Sequence, residues 1–170
     1  MIRPVQVQTA AQLGEARALF LEYQAAIGFD LCFQDFDREV AGLPGSYAPP
    51  RGALLLAMAD ERPVGCVALR ALDERTCELK RLYVRPEARG HSVGRLLCEA
   101  LIAGARARGY ERMKLDTVPQ MAEAIALYRA LGFTPTEPYR HNPIPGALFM
   151  ELALGPPPAA TAPPADGAAR

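Results

Sequence analysis

The segment from Glu78 to Ala107 constrains the fold more than any other part of the chain. Residues 78–84, ELKRLYV, alternate in character and end in aromatic and β-branched side chains, which predicts a strand. Pro86 stops that strand, and apolar residues then recur at three- and four-residue spacing, which predicts a helix ending near Gly109. Strict alternation would place Leu79, Arg81 and Tyr83 on one face of the strand and Glu78, Lys80, Leu82 and Val84 on the other.

A glycine-containing turn, residues 89–94 (RGHSVG), joins the predicted strand to the helix. The first amides of a helix lack intrahelical acceptors and lie at the positive end of its dipole, so they can bind a diphosphate. Gly90 and Gly94 would let the backbone approach an anion, while Arg89 and Ser92 would add donors. The alternative is a turn that only redirects the chain. The pattern is neither the Gly-Lys-Ser/Thr phosphate loop nor the GxGxxG dinucleotide fingerprint.

Two segments together carry a family resemblance: VRPEARGHSVGRLL at 84–97 and AIALYRALGF at 124–133. They resemble the signature motifs of GNAT-type N-acetyltransferases, whose pyrophosphate loop reads Arg/Gln-x-x-Gly-x-Gly/Ala. Arg89, Val93 and Gly94 match that loop, and Ser92 stands in place of its first glycine. The departure matters little if Ser92 has an ordinary backbone angle, and more if the position needs a positive φ.

The resemblance implies an α/β fold with a mixed, mostly antiparallel sheet of six to seven strands flanked by helices. It also implies acetyl-CoA as co-substrate and no metal. The fourth and fifth strands are expected to splay, so that main-chain groups of Leu82, Tyr83 and Val84 contact the pantetheine arm. The implied diphosphate contacts are Arg89, Gly90, His91, Ser92, Val93, Gly94 and Arg95.

Two residues have implied catalytic roles. Glu78 is a candidate general base, and Tyr128 matches the tyrosine that protonates the departing thiolate in the family. A plain structural role is the alternative for each residue. Glu78 would then be a strand carboxylate paired with Lys80 or an arginine, and Tyr128 a buried tyrosine on the apolar face of its helix.

The remaining chain predicts a single domain at 1–154 followed by a disordered Pro/Ala-rich tail at 155–170. A first strand at 2–8 precedes a helix that begins with a Thr9/Gln12 capping box and ends at Gly28. A short helix is predicted around Phe33, Phe36 and Val40, followed by an antiparallel meander of three strands at 53–59, 63–72 and 78–84. A fifth strand at 112–117 is expected to lie parallel to the fourth. The last predicted elements are a helix from Pro119 to Gly132, a short strand at 133–134 and a closing strand at 147–154.

Composition excludes several classes of function. Basic and acidic residues balance at 19 each, which indicates neither a nucleic-acid partner nor an anionic membrane surface. The four cysteines lack C-x-x-C spacing and only two histidines accompany them, so we expect buried thiols and no metal site. No signal sequence or membrane-length apolar run occurs, so a cytoplasmic protein is expected.

The predicted function is transfer of an acetyl group from acetyl-CoA to a primary amine of a small molecule or peptide. A non-catalytic acyl-CoA-binding module is the main alternative. A structural or interaction protein and a different phosphate-binding enzyme are further alternatives. A homodimer is possible, and the sequence leaves the acceptor open because residues 29–52 and 135–146 have little pattern.

Overall fold

The computed structural model describes residues 1–28, 30–31 and 35–156. Almost all of the predicted tail therefore lies outside the described residues, as do Cys32 and Phe33. In the described part, the strands are β1 (Ile2–Gln6), β2 (Ala53–Ala59), β3 (Arg62–Ala71), β4 (Thr76–Val84), β5 (Arg112–Thr117), β6 (Thr134–Pro135) and β7 (Leu148–Ala153). The α-helices are α1 (Ala10–Ile27), α2 (Phe36–Ala41), α3 (Val93–Ala107) and α4 (Ala122–Ala130).

All seven strands join one sheet in the order β1-β2-β3-β4-β5-β7-β6. Only β4 and β5 pair in parallel; the other neighbours are antiparallel. The predicted mixed, mostly antiparallel sheet is confirmed, as are the meander and the parallel fifth strand. The predicted closing strand is β7, which pairs with both β6 and β5 because it inserts between them.

Helices pack on both faces of the sheet and create two apolar cores. On one face, α3 and α4 contribute Val93, Leu97, Leu101 and Tyr128 to a core that includes the inward side chains of β2 to β5. On the other face, α1 and α2 bury Phe20 and Phe36 against the sheet. The sheet is covered on both sides, so a ligand can reach its middle only where two strands separate.

Most predicted helix ends are confirmed. Thr9 and Gln12 form a reciprocal capping box, with the Gln12 amide donating to Thr9 Oγ1 over 3.1 Å. Gly28 and Gly109 have φ of 74° and 84°, the left-handed conformation that ends a helix. The predicted start of the last helix is wrong, because α4 begins at Ala122. Pro119 instead occupies a turn closed by a hydrogen bond from the Met121 amide to the Val118 carbonyl, where its fixed φ is equally favourable.

A bulge in β4 corrects the predicted side-chain faces. Cys66 of β3 lies opposite Tyr83, and Ala68 lies opposite Lys80, so Arg81 and Leu82 together face one residue of β3. Arg81 has φ of 60°, unusual for a residue with a side chain. The extra residue shifts the alternation by one position.

Strict alternation therefore fails beyond Lys80. Leu82 and Val84 pack with Leu79 in the core beneath α3, contrary to the prediction. Tyr83 packs in the α1 core. Arg81 turns to the same side, where its guanidinium lies 5.0 Å from the ring centre of Phe36 in α2.

The parallel pairing of β4 and β5 is short. Only residues 76–78 pair with 112–114, although β4 continues to Val84 and β5 to Thr117. Beyond Glu78 the main chain of β4 has no ladder partner in β5. The splay that the resemblance implied is confirmed, and it opens a gap through the sheet.

We expect the stability of the bulge to depend on one ion pair, between Arg81 and Glu39. The Arg81 guanidinium binds the Glu39 carboxylate of α2 through two hydrogen bonds of 2.7 and 3.0 Å, and only 2% of the Arg81 side chain is exposed. Glu39→Ala should lower the free energy of unfolding by about 3 kcal/mol, because it leaves a buried guanidinium unpaired. Urea unfolding measures the change.

The matched control is Glu87→Ala, which removes the exposed partner of Arg62. That loss should cost less than about 1 kcal/mol. Equal effects of the two substitutions would show that the Arg81–Glu39 pair does not hold the bulge.

Candidate active site

A groove of about 680 Å³ runs along the open edge of β4. One wall is formed by Leu82, Tyr83 and Val84, and the floor by the turn before α3 and the first residues of that helix. Residues 120–124 and Leu127 form the opposite wall. The groove therefore brings together the strand edge and the helix N-terminus that the sequence predicted as binding elements.

The turn before α3 presents main-chain donors to this groove. Residues 86–88 form a 3₁₀ turn, and Gly90 and Ser92 then have φ of 83° and 57°. The Ser92 carbonyl accepts the first helical bond, from Leu96, while the amides of residues 93–95 precede any intrahelical acceptor. These amides and the helix dipole favour an anion at this end of the groove.

Gly94 lets α3 and α4 approach each other here. A Cβ at this position would lie 3.3 Å from a methyl group of Leu127 and 3.9 Å from one of Val84. Because the glycine has no side chain, the first turn of α3 stays open to the groove. A large or charged side chain would extend into the space where an anion would bind.

A smaller inner cavity of about 50 Å³ lies at the gap between β4 and β5 and shares Tyr23, Ile27, Leu82 and Met121 with the lining of the groove. Leu79 and Leu82 of β4 line it together with Val118 and Met121. Its polar lining comes from both faces of the sheet and consists of Tyr23, Lys80, Arg81, Asp116, Thr117, Tyr128 and Asn142. The cavity therefore joins the groove to a set of titratable side chains.

Tyr128 lies on α4 and borders the inner cavity. It is 6% exposed, and its ring packs 5.7 Å from that of Phe133, centre to centre. Burial raises the pKa of Tyr128 well above its usual range, so the hydroxyl keeps its proton at neutral pH. The residue is placed to act as a proton donor towards a group in the inner cavity.

Glu78 lies on β4, two residues before Lys80, and is fully buried. Arg70 donates to Oε1 over 2.7 Å, the Tyr139 hydroxyl donates to Oε2 over 2.6 Å, and Arg140 also binds Oε2. Burial raises the pKa of Glu78, but the charges of Lys80, Arg140 and Arg70 and the Tyr139 hydrogen bond outweigh it, so the pKa is lowered. Both oxygens of this carboxylate are thus committed to three donors.

The sequence matches a known family over most of its length. The family described as acetyltransferase (GNAT) matches residues 15–133. An uncharacterized N-acetyltransferase of Schizosaccharomyces pombe is 39% identical over 161 residues, which cover 91% of this chain and 99% of that protein. The chain belongs to the GNAT acetyltransferase family. GNAT enzymes transfer an acetyl group from acetyl-CoA to an amine, and this protein is therefore an acetyl-CoA-dependent N-acetyltransferase.

Solved GNAT structures share this fold. A Staphylococcus aureus GNAT acetyltransferase superposes with a TM-score of 0.76 at 20% identity, over 91% of this chain and 99% of that one. The PaiA N-acetyltransferase of Thermoplasma acidophilum, in complex with coenzyme A, superposes with a TM-score of 0.68 at 20% identity, over 90% and 99% of the two chains. The groove fits such a ligand, because it offers an open strand edge, free helix amides and a volume typical of ligand sites.

The groove contains nearly all the residues predicted as cofactor contacts. Nine line the groove: Leu82, Tyr83, Val84, Arg89, Gly90, Ser92, Val93, Gly94 and Arg95. His91 is exposed beside the groove and outside its lining. Tyr128 lies in the inner cavity, whereas Glu78 lies behind Lys80 and outside the lining of both spaces. Their individual roles stay predictions.

Several site residues had no functional signal in the sequence. Tyr23 lies on α1 and Asp116 on β5, and neither belongs to a sequence motif with a chemical role. Tyr139 and Arg140 come from the unpatterned connection before β7. Asn142, from the same connection, donates to Asp116 over 3.1 Å and lines the cavity.

Three of the four cysteines lie in the described part of the structure. Cys66, Cys77 and Cys98 are buried free thiols, as expected. Over residues 1–28, 30–31 and 35–156, no three His, Cys, Asp or Glu side chains form a metal-ligand group. None of the helices described is both long and apolar enough to span a bilayer.

Ser92 provides a test of the loop. Its φ of 57° is a conformation that glycine adopts without strain, and a Cβ there costs about 1 kcal/mol. Ser92→Gly should therefore raise the melting temperature by about 2–4 °C in a chain of this size. Differential scanning calorimetry measures the shift. Ser92→Ala keeps the Cβ and is the control; a rise as large as that of Ser92→Gly would contradict strain at this position.

Proposed function

We propose that the protein acetylates a primary amine of a small molecule or peptide, with the diphosphate of acetyl-CoA at the N-terminus of α3 and the acyl end in the inner cavity. The observation that carries the proposal is that the groove and the inner cavity adjoin at the splay between β4 and β5, where they share lining residues. The amides of residues 93–95 and the Arg89 guanidinium would hold the diphosphate. Unpaired main-chain groups of residues 82–84 would hold the pantetheine arm.

The acetyl donor supplies a thioester whose carbonyl carbon is open to attack by a neutral amine. The protein's part is to place that carbonyl in the gap, where a strand amide near Leu82 would donate to the developing oxyanion. Tyr128 would donate its proton to the departing sulfur, since its hydroxyl stays protonated and borders the cavity. Direct transfer needs no covalent intermediate on the protein.

The base stays a separate question. The sequence assigned it to Glu78, and that assignment remains a prediction. The geometry weighs against it, because Arg70, Tyr139 and Arg140 occupy both carboxylate oxygens and the lowered pKa makes the group a weak proton acceptor. We propose instead that Glu78 holds the β3, β4 and pre-β7 segments together behind the cavity.

The acceptor is proposed only as a class. Asp116 borders the cavity and would attract an ammonium group, in keeping with an amine acceptor. A cytoplasmic location and a homodimer remain part of the proposal as further expectations. The balanced net charge supports a small-molecule or peptide acceptor over nucleic acid.

The first test concerns donor binding. Gly94→Asp should weaken acetyl-CoA affinity by about tenfold or more, because a carboxylate would stand against the diphosphate at the first turn of α3. Isothermal titration calorimetry measures the affinity. Gly94→Asn has the same size without the charge and should lose much less. Equal affinities for wild type and Gly94→Asp would place the diphosphate elsewhere.

The second test concerns turnover. Thiol release from acetyl-CoA should be detected with at least one member of a panel containing benzylamine, tyramine, spermidine, glutamate and an alanine-terminated peptide. Tyr128→Phe should lower kcat for that amine by about 100-fold with acetyl-CoA affinity unchanged, because only the donated proton is lost. An unchanged kcat would remove Tyr128 as the acid. Binding without turnover on the whole panel would favour a non-catalytic acyl-CoA-binding module.

A further inference from the structure

Lysine is almost absent from this chain. Seventeen of the 19 basic residues are arginine, and the two lysines are Lys80 and Lys114. An arginine side chain does not lose its proton in a protein, so it cannot serve as a base. Both lysines are on the α1 face of the sheet, but only Lys80 lines the inner cavity. Lys114 lies beside the Tyr139 ring and 3.9 Å from Glu151.

The bulge determines where Lys80 lies. It is the last residue before Arg81 changes the alternation, so two consecutive cationic side chains leave β4 on one side. Lys80 is 6% exposed and borders the same cavity as Tyr128 and Asp116. It therefore lies beside the point at which an acceptor amine would meet the acyl group.

The surroundings of Lys80 favour its neutral form. Burial disfavours the ammonium form, and so do the positive charges of Arg81 on β4, Arg140 before β7 and Arg70 on β3. The Glu78 carboxylate acts in the opposite direction but is shared with two of those arginines. Together they lower the pKa of Lys80 to about 7. The other titratable groups facing the cavity are Tyr23 on α1, Asp116 on β5 and Tyr128 on α4.

We propose that the side-chain amine of Lys80 is the general base that takes a proton from the acceptor's ammonium group in the inner cavity. The inference rests on the acetyltransfer proposed above and replaces Glu78 in that role. An acceptor with an ordinary amine pKa of about 10 arrives protonated at neutral pH and cannot attack a thioester. Asp116 attracts it, and Lys80 makes it a nucleophile.

The proton and bond changes balance. Lys80 Nζ takes one proton from the acceptor ammonium, and the acceptor nitrogen then forms a bond to the carbonyl carbon. As the C–S bond breaks, the sulfur takes a proton from Tyr128. The acylated nitrogen loses its second proton, which restores the Tyr128 hydroxyl. Lys80 releases its proton to solvent before the next turnover.

A direct test needs neither donor nor acceptor. Protein labelled with ¹³Cε- and ¹⁵Nζ-lysine contains two labelled side chains, and Lys114→Met assigns them. The Lys80 signal should titrate near pH 7. Titration of Lys80 near the usual value of about 10.4 would overturn the proposal, because the group would then be charged at neutral pH.

The kinetic test uses acetyl-CoA and the fastest amine of the panel. Lys80→Met should lower kcat/KM at pH 7 by about 100-fold, the usual contribution of a general base. The loss in kcat/KM should become steadily smaller as the pH approaches the pKa of the acceptor, because an acceptor amine that is already neutral needs no base. Melting temperature checks that the variant folds; methionine fills a similar volume without a buried charge.

Matched controls separate the possible outcomes. Lys114→Met should leave the pH profile unchanged. A defect of Lys80→Met that is the same at every pH would indicate a structural role and overturn the proposal. In the wild type, kcat/KM should fall at low pH, where the base is protonated. If Asp116→Asn abolishes this fall and Lys80→Met keeps it, the base is Asp116 instead. A 42 Da gain on Lys80 after incubation with acetyl-CoA would make it an acyl acceptor instead of a base.

Absence of turnover in the wild type would contradict the proposed function itself, whereas the lysine titration would still report on Lys80.

Discussion

The buried ion pair between Arg81 and Glu39 holds the conformation on which the site depends. Arg81 has a left-handed backbone angle in the middle of a strand, a conformation that costs free energy for a residue with a side chain. Two hydrogen bonds to Glu39 and the rings of Phe36 and Tyr23 surround its guanidinium and offset that cost. Helix α2, which is distant from β4 in the sequence, thereby fixes the shape of that strand.

Two consequences follow from the bulge and the short parallel ladder. Beyond Glu78 the main chain of β4 is free of β5, and the gap connects the groove beneath α3 to the opposite face of the sheet. The bulge also turns Lys80 and Arg81 to the same side, where Arg70 and Arg140 share the single carboxylate of Glu78. The fold thus creates an opening for an acyl group next to Lys80, Glu78 and three arginines. Burial, together with the charges of Arg81, Arg140 and Arg70, favours a neutral lysine there.

The sequence predicted the features that depend on residues close together in the chain. Capping residues at Thr9 and Gly28, the turn at 89–94 and the paired family motifs predicted the main helix ends, the groove lining and the acetyl donor. The bulge was missed, because Arg81 gives no glycine-like signal and is held by a partner 42 residues away. The role of Glu78 depended on Tyr139 and Arg140, which come from a connection without periodicity. Lys80 could not be distinguished either, since a shifted pKa arises only when several charges meet in a buried space.

In the proposed complex the acyl donor enters through the splay, with its diphosphate on the first turn of α3. A crystal structure with coenzyme A would show whether it does. We expect phosphate oxygens within hydrogen-bond distance of the amides of residues 93–95, the pantetheine arm along residues 82–84, and the sulfur in the cavity next to Tyr128 and Lys80. Coenzyme A bound elsewhere, or a sulfur outside the gap between β4 and β5, would contradict it.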